Sequence, residues 1–124
     1  MPLTIKTVES KPCIFVLSLT GSLDSHTYAD LEKKIAYLMD EGGAKIITLD
    51  MAGLEFLSSM GVRVIFKAKK DLGQRNGALL MVNLTPQVEK VFEIINALGS
   101  MRIFSSIQEL DAYLAKMQAQ PDQA

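Results

Sequence analysis

The stretch Lys45-Ile46-Ile47-Thr48-Leu49-Asp50-Met51 decides the fold. It is short, mostly apolar and preceded by Gly42-Gly43, the pattern of a buried strand covered on at least one face. A few residues on, Leu54-Glu55-Phe56-Leu57-Ser58-Ser59-Met60-Gly61 sets two hydroxyls where the strand has ended and a helix begins. From about Ser59 to Arg75, Gly61, Ile65, Ala68 and Leu72 share one helical face, and Asn76-Gly77 closes the segment. A buried strand followed by a one-faced helix is the first half of a crossover unit.

The same alternation recurs on both sides. Cys13 to Leu19 and Ala78 to Val82 read as further buried strands, and Arg102 to Phe104 as an edge strand. Leu3 to Val8 alternates apolar with polar residues, as a half-exposed strand does, and Lys11-Pro12 suits a hairpin into the next strand. In Ser25 to Glu41 the stripe is Tyr28, Leu31, Ile35 and Leu38, and Gly42-Gly43 ends it. Thr85-Pro86 opens a helix whose stripe is Val88, Val91, Phe92, Ile95 and Leu98. Ser106-Ile107-Gln108-Glu109 is a capping box that opens a last helix running to Met117. The order β-β-α-β-α-β-α-β-α predicts an α/β fold: one small mixed β-sheet with about four helices. It spans residues 1–117, and 118–124 form a polar tail.

Composition bounds the function. The chain has 124 residues, 48% apolar, near the modal size of one domain. Its single cysteine, Cys13, cannot form an internal disulfide and reads as a small core residue in its strand. Lys and Arg number 13 against 14 acidic residues, scattered along the chain, so no basic footprint points to nucleic acid. No signal peptide is legible, and the apolar runs fall short of the ~20 residues that span a bilayer. A cytoplasmic protein without membrane contact is expected.

Two readings of the paired serines stand side by side. In one, Ser58 is only an N-cap and Ser59 a first-turn residue. In the other, the helix N-terminus with its free N–H groups is a place for an anion or phosphoryl group. Projected at ~3.6 residues per turn, Ser59, Arg63, Phe66 and Lys70 point away from the Gly61 face, and Val62 lies between. Val62 and Phe66 beside an exposed hydroxyl suit a docking surface, although isolated exposed apolar residues are ordinary. His26 has no Gly-x-Ser-x-Gly elbow to serve, Asp24 and Asp50 are too few for a metal site, and no phosphate-loop spacing is present. No catalytic residue, metal or cofactor is expected.

Leu19-Thr20-Gly21-Ser22-Leu23-Asp24 leading into Ser25-His26-Thr27, the strand Ile46 to Asp50, and Phe56 to Gly61 together resemble the STAS domain family. The likeness runs from about Thr4 to Lys116, specifically to the bacterial anti-sigma factor antagonists. In that family a Gly-x-Leu-Asp turn precedes the first helix, and the second opens on Asp-Ser-Ser/Thr-Gly with the first Ser phosphorylated. The resemblance implies phosphorylation at Ser59, with Gly61 as the family's Gly. Ser58 replaces the family's Asp, Met60 its second hydroxyl residue, and Arg63 a commonly small residue. The implied function is a non-enzymatic partner switch. The unmodified protein sequesters an anti-sigma factor with serine kinase activity, phospho-Ser59 does not, and a phosphatase restores binding. The partner-binding residues on this reading are Asp24, Ser25, His26, Thr27, Ser58, Met60, Gly61, Val62, Arg63 and Phe66, on a monomer or weak dimer. A STAS adaptor that is not phosphorylated and a small-molecule sensor are the alternatives.

Overall fold

The computed structural model describes residues 2–94 and 102–104, together with Gln108, Glu109, Ala112 and Ala115. The elements are β1 (Leu3–Lys11), β2 (Ile14–Leu23), α1 (Tyr28–Asp40), β3 (Ile46–Leu57), α2 (Ser59–Gln74), β4 (Ala78–Val82), α3 (Pro86–Ile94) and β5 (Arg102–Phe104). They form one five-stranded sheet in the order β1-β2-β3-β4-β5. β1 runs antiparallel to β2, and the remaining neighbours are parallel, each joined through a helix where the connection is described. This is the mixed α/β sheet that the alternation predicts.

Alternate strand residues build the core. Leu17 and Leu19 of β2, Ile47, Leu49 and Met51 of β3, and Met81 of β4 join the helical stripes in one buried cluster. From α1 come Leu31, Ile35 and Leu38, from α2 Ile65, Ala68 and Leu72, and from α3 Val88 and Phe92. The stripes read from three- and four-residue spacing are therefore the faces that pack in α1, α2 and the described part of α3; Ile95 and Leu98 lie outside the described residues.

Boundaries differ in instructive places. β3 continues beyond Met51 to Leu57 and β2 beyond Leu19 to Leu23, because the two strands stay paired as far as Leu23 opposite Leu57. Ala52, Gly53 and Glu55 interrupt the apolar run there, and two register shifts let the pair bend without parting. Gly21, which reads as a break, lies inside β2 at φ +105°, and a Cβ there would collide with the Pro2 carbonyl. α1 begins at Tyr28 rather than Ser25, since Ser25-His26-Thr27 are spent on a turn. Cys13 is not in a strand: it occupies the turn after Pro12 at φ +68°, half-buried, with its carbonyl accepting the Lys45 and Ile46 N–H groups. β5 falls at Arg102–Phe104 as expected, at the sheet edge. Three helices are delineated against the expected four or so. The expected last helix and the 118–124 tail lie largely outside the described residues, of which Gln108, Glu109, Ala112 and Ala115 are helical.

Gly61 and Gly73 test this packing with opposite signs. A Cβ on Gly61 would stand 2.7 Å from Leu23 Cγ and 2.8 Å from Leu57 Cδ1, whereas at Gly73 it meets nothing within 4 Å. Gly61→Ala should lose about 1–3 kcal/mol to overpacking. Gly73→Ala, in an exposed helical turn, should gain up to about 1 kcal/mol. Urea unfolding of both variants checks the pair.

Candidate functional site

The site is built where β2 and β3 end side by side. Leu57 is the last buried residue of β3, and the chain then turns into α2 through Ser58 in extended backbone (φ −93°, ψ 172°). The Ser58 hydroxyl accepts the Gly61 N–H at 3.3 Å and so caps the helix. The Ser58 N–H donates in turn to the Leu23 carbonyl at 2.9 Å. Residue 23 thus fixes residue 58, and the turn that begins at Asp24 is held beside the start of α2.

That turn is closed by Asp24. Its Oδ1 accepts the N–H groups of His26 at 2.9 Å and Thr27 at 3.1 Å, and its carbonyl accepts the Tyr28 N–H at 2.9 Å. The Thr27 hydroxyl has a single proton, which goes to the Ser22 carbonyl at 2.8 Å. The Thr27 hydroxyl oxygen in turn accepts the Asp24 N–H at 3.0 Å. The His26 N–H hydrogen bond holds the Asp24 carboxyl below its ordinary value of 3.8. Ser25 and His26 are exposed, and the His26 ring makes no hydrogen bond among the described residues.

On α2, Ser59 is exposed at the first helical position, and its hydroxyl makes no hydrogen bond among the described residues. Arg63, one turn on, is also exposed, and its Nη1 lies 3.8 Å from the Met60 sulfur. Ser59, Val62, Arg63 and Phe66 line one depression together with Val91 of α3. Met60 and Arg63 also border a second depression, between α1 and α2, with Tyr28 and Glu32. The two segments singled out in the sequence therefore do come together at one end of the sheet.

Some of those residues have little surface to offer. Gly61 is buried against Leu23 and Leu57, and Val62, placed between the faces by helical projection, is only 6% exposed and belongs to the core. The projection treats α2 alone, whereas Val62 joins the same buried cluster as Val88 and Phe92 of α3. Two residues escaped sequence reasoning. Val91 counts only as part of the α3 stripe in the sequence, because no local spacing shows where α3 docks. Phe56 is 53% exposed, opposite Ser22 in the strand ladder, and in the sequence it counts only as part of the Phe56 to Gly61 motif, not as a binding residue. Asp50 is structural, its Oδ1 accepting the Ala52 N–H and the Asn83 side-chain N–H, each at 3.1 Å. Among the described residues no group of three or more His, Cys, Asp or Glu is placed to hold a metal, and no helix is long and apolar enough to cross a membrane.

The Asp24 cap carries a pH signature. A carboxyl whose value is lowered on folding contributes stability that is fully present above its unfolded value of 3.8 and lost as pH falls through the lower folded value. Urea midpoints of wild type and Asp24→Asn should therefore differ at pH 6 and converge below pH 3.8. A constant gap would dissociate the turn from this charge.

Comparison with known proteins gives the arrangement a family. Residues 5–110 match the model of the STAS domain. The chain is 31% identical over 106 residues to BtrV of Bordetella bronchiseptica, a protein named provisionally as an anti-sigma factor antagonist, covering 86% of this chain and 88% of that one. It is 30% identical over 78 residues to the anti-sigma F factor antagonist of Lysinibacillus sphaericus, covering 63% and 67%. The solved structure of the anti-sigma factor antagonist SpoIIAA in its unphosphorylated form superposes with a TM-score of 0.78 over 90% of this chain and 97% of that one, at 22% identity, a likeness of fold. With its five-stranded sheet, its capped α2 and the Asp24 turn beside it, the chain belongs to the STAS domain family.

Proposed function

We propose that this STAS domain is a cytoplasmic anti-sigma factor antagonist that acts by binding and not by catalysis. In its unmodified form it sequesters an anti-sigma factor with serine kinase activity, and phosphorylation of Ser59 releases it. The observation that carries this reading is the exposed, unbonded Ser59 hydroxyl at the head of α2, between the Asp24 turn and the depression lined by Phe66 and Val91. The two sequence relatives, both named as anti-sigma factor antagonists, support it.

The switch follows from local chemistry. The Ser59 hydroxyl attacks the γ-phosphorus of ATP, the new Oγ–P bond replaces the bond to ADP, and the serine proton is released. The product carries about −1.5 to −2 charges and three acceptor oxygens. A partner packed on Phe56, Phe66 and the Asp24–Thr27 turn would then have to desolvate a dianion at the centre of its footprint, so it leaves. A phosphatase that hydrolyses the ester restores the binding form. The domain works as a monomer or weak dimer.

One observation favours a second reading, a STAS adaptor that is never phosphorylated. The hydroxyl of Ser58 is engaged in the cap, and the first turn of α2 holds no acidic residue, so no carboxylate in that turn orients the Ser59 hydroxyl. Intact-mass measurement of protein isolated from its own cells separates the two, since the adaptor shows no phospho-form in any growth condition.

With a kinase-type partner, Mg²⁺ and ATP, wild type should gain one phosphate and Ser59→Ala none; equal modification of the variant would remove Ser59 from the mechanism. Phe56→Ala should weaken binding of the unmodified protein by about tenfold or more, as truncation of an aromatic anchor does. Its stability should change by no more than about 0.5 kcal/mol, because the ring is exposed. Calorimetric titration alongside thermal unfolding reads both quantities.

A further inference from the structure

We propose that Arg63 is the internal counter-ion of a phosphoryl group on Ser59, drawn over that residue once it is modified. The inference rests on Ser59 as the modified residue. Ser59 and Arg63 are one helical turn apart, both exposed, and they line the same depression. Side chains at this spacing meet on a helix surface, and a long side chain leans back toward the N-terminus. Arg63 already does so, since its Nη1 reaches the Met60 sulfur at 3.8 Å. A thioether is a weak acceptor, so this contact parks the guanidinium beside the first turn without neutralising it.

The neighbouring cations are differently placed. Lys67 is paired with Glu32 at 3.4 Å, and Arg75, paired with Asp40 at 2.9 Å, stands at the far end of α2, while Arg63 has no ion pair among the described residues. The first turn of α2 contains no acidic residue to compete for it. A phosphate at Ser59 therefore exchanges a sulfur contact for a charge-assisted one, with the planar fork of Arg matched to two phosphate oxygens. The guanidinium that borders both depressions in the unmodified protein is withdrawn toward the helix start. Modification thus alters the surface in two ways, adding a dianion and removing a free cation from the rim.

The test uses phosphoserine installed at position 59 during translation, so it needs no kinase. A protein that no kinase modifies would count against the proposed function alone. The readout is the second ionisation of the phosphate, followed by ³¹P resonance as a function of pH. A nearby cation favours the dianion, so wild type should titrate below the ordinary value of about 6. Arg63→Gln should raise the midpoint by about half a pH unit, a threefold change in the proton affinity. Arg63→Lys should fall between, as a point charge without the fork. Lys67→Gln, one turn further and paired with Glu32, should leave the midpoint unmoved. An unchanged midpoint in Arg63→Gln, or an equal rise in Lys67→Gln, would overturn the proposal.

Discussion

Everything at the functional end depends on the parallel pairing of β2 with β3 being carried to its last residues, Leu23 and Leu57. At that point two chain segments about thirty residues apart leave the sheet together. The Ser58 N–H to Leu23 carbonyl hydrogen bond joins them, and Gly61 lets α2 settle directly on the two leucine side chains. Because both leucines are buried, this junction is anchored in the core and not on the surface. Side chains that need a fixed mutual position are best carried by rigid elements. Here the exposed Ser59 and the Asp24 turn inherit their geometry from a strand pair.

Much of this was legible in the sequence. Apolar runs bounded by Gly, Pro and Asn marked the strands, and the i, i+3, i+4 stripes of α1, α2 and α3 marked their packing faces. The outward direction of Ser59 and Arg63 followed from the position of Gly61 on the same helix. What did not follow was anything set by a distant neighbour. The tails of β2 and β3 are held by pairing with each other, so their Thr, Ser, Gly and Glu residues obscured the pattern. Val62 belongs to a buried cluster that includes residues of α3, and a single-helix projection contains no third helix. The left-handed residues Cys13 and Asn83 were equally silent, since the Cys13 carbonyl serves Lys45 and Ile46 and the Asn83 side chain serves Asp50, all distant in sequence.

The helix start combines stability and availability in adjacent residues. Ser58 spends its hydroxyl on the cap, and Ser59 leaves its own free. A group added to Ser59 therefore breaks no bond that holds the fold, and α2 stays in register. The proposed switch needs no conformational change, because it changes charge and bulk on a surface whose backbone is already satisfied. Ser58 also leaves the neighbourhood without the formal negative charge that an Asp cap would add, which favours an anionic group there.

The close approach of Pro2 to Gly21 has a practical side. Leu3 pairs with Gly21, two residues before Leu23, so β1 starts at the same end of the sheet as Asp24 and Ser59. An extension attached ahead of Pro2 would be tethered at the end of the sheet that carries the proposed docking face. An amino-terminal tag or fused reporter would thus act as a tethered obstacle, at an effective concentration set by its linker. The turn at Pro12-Cys13 lies at the opposite end of the same hairpin, and an inserted label there would report on the domain without crowding that face.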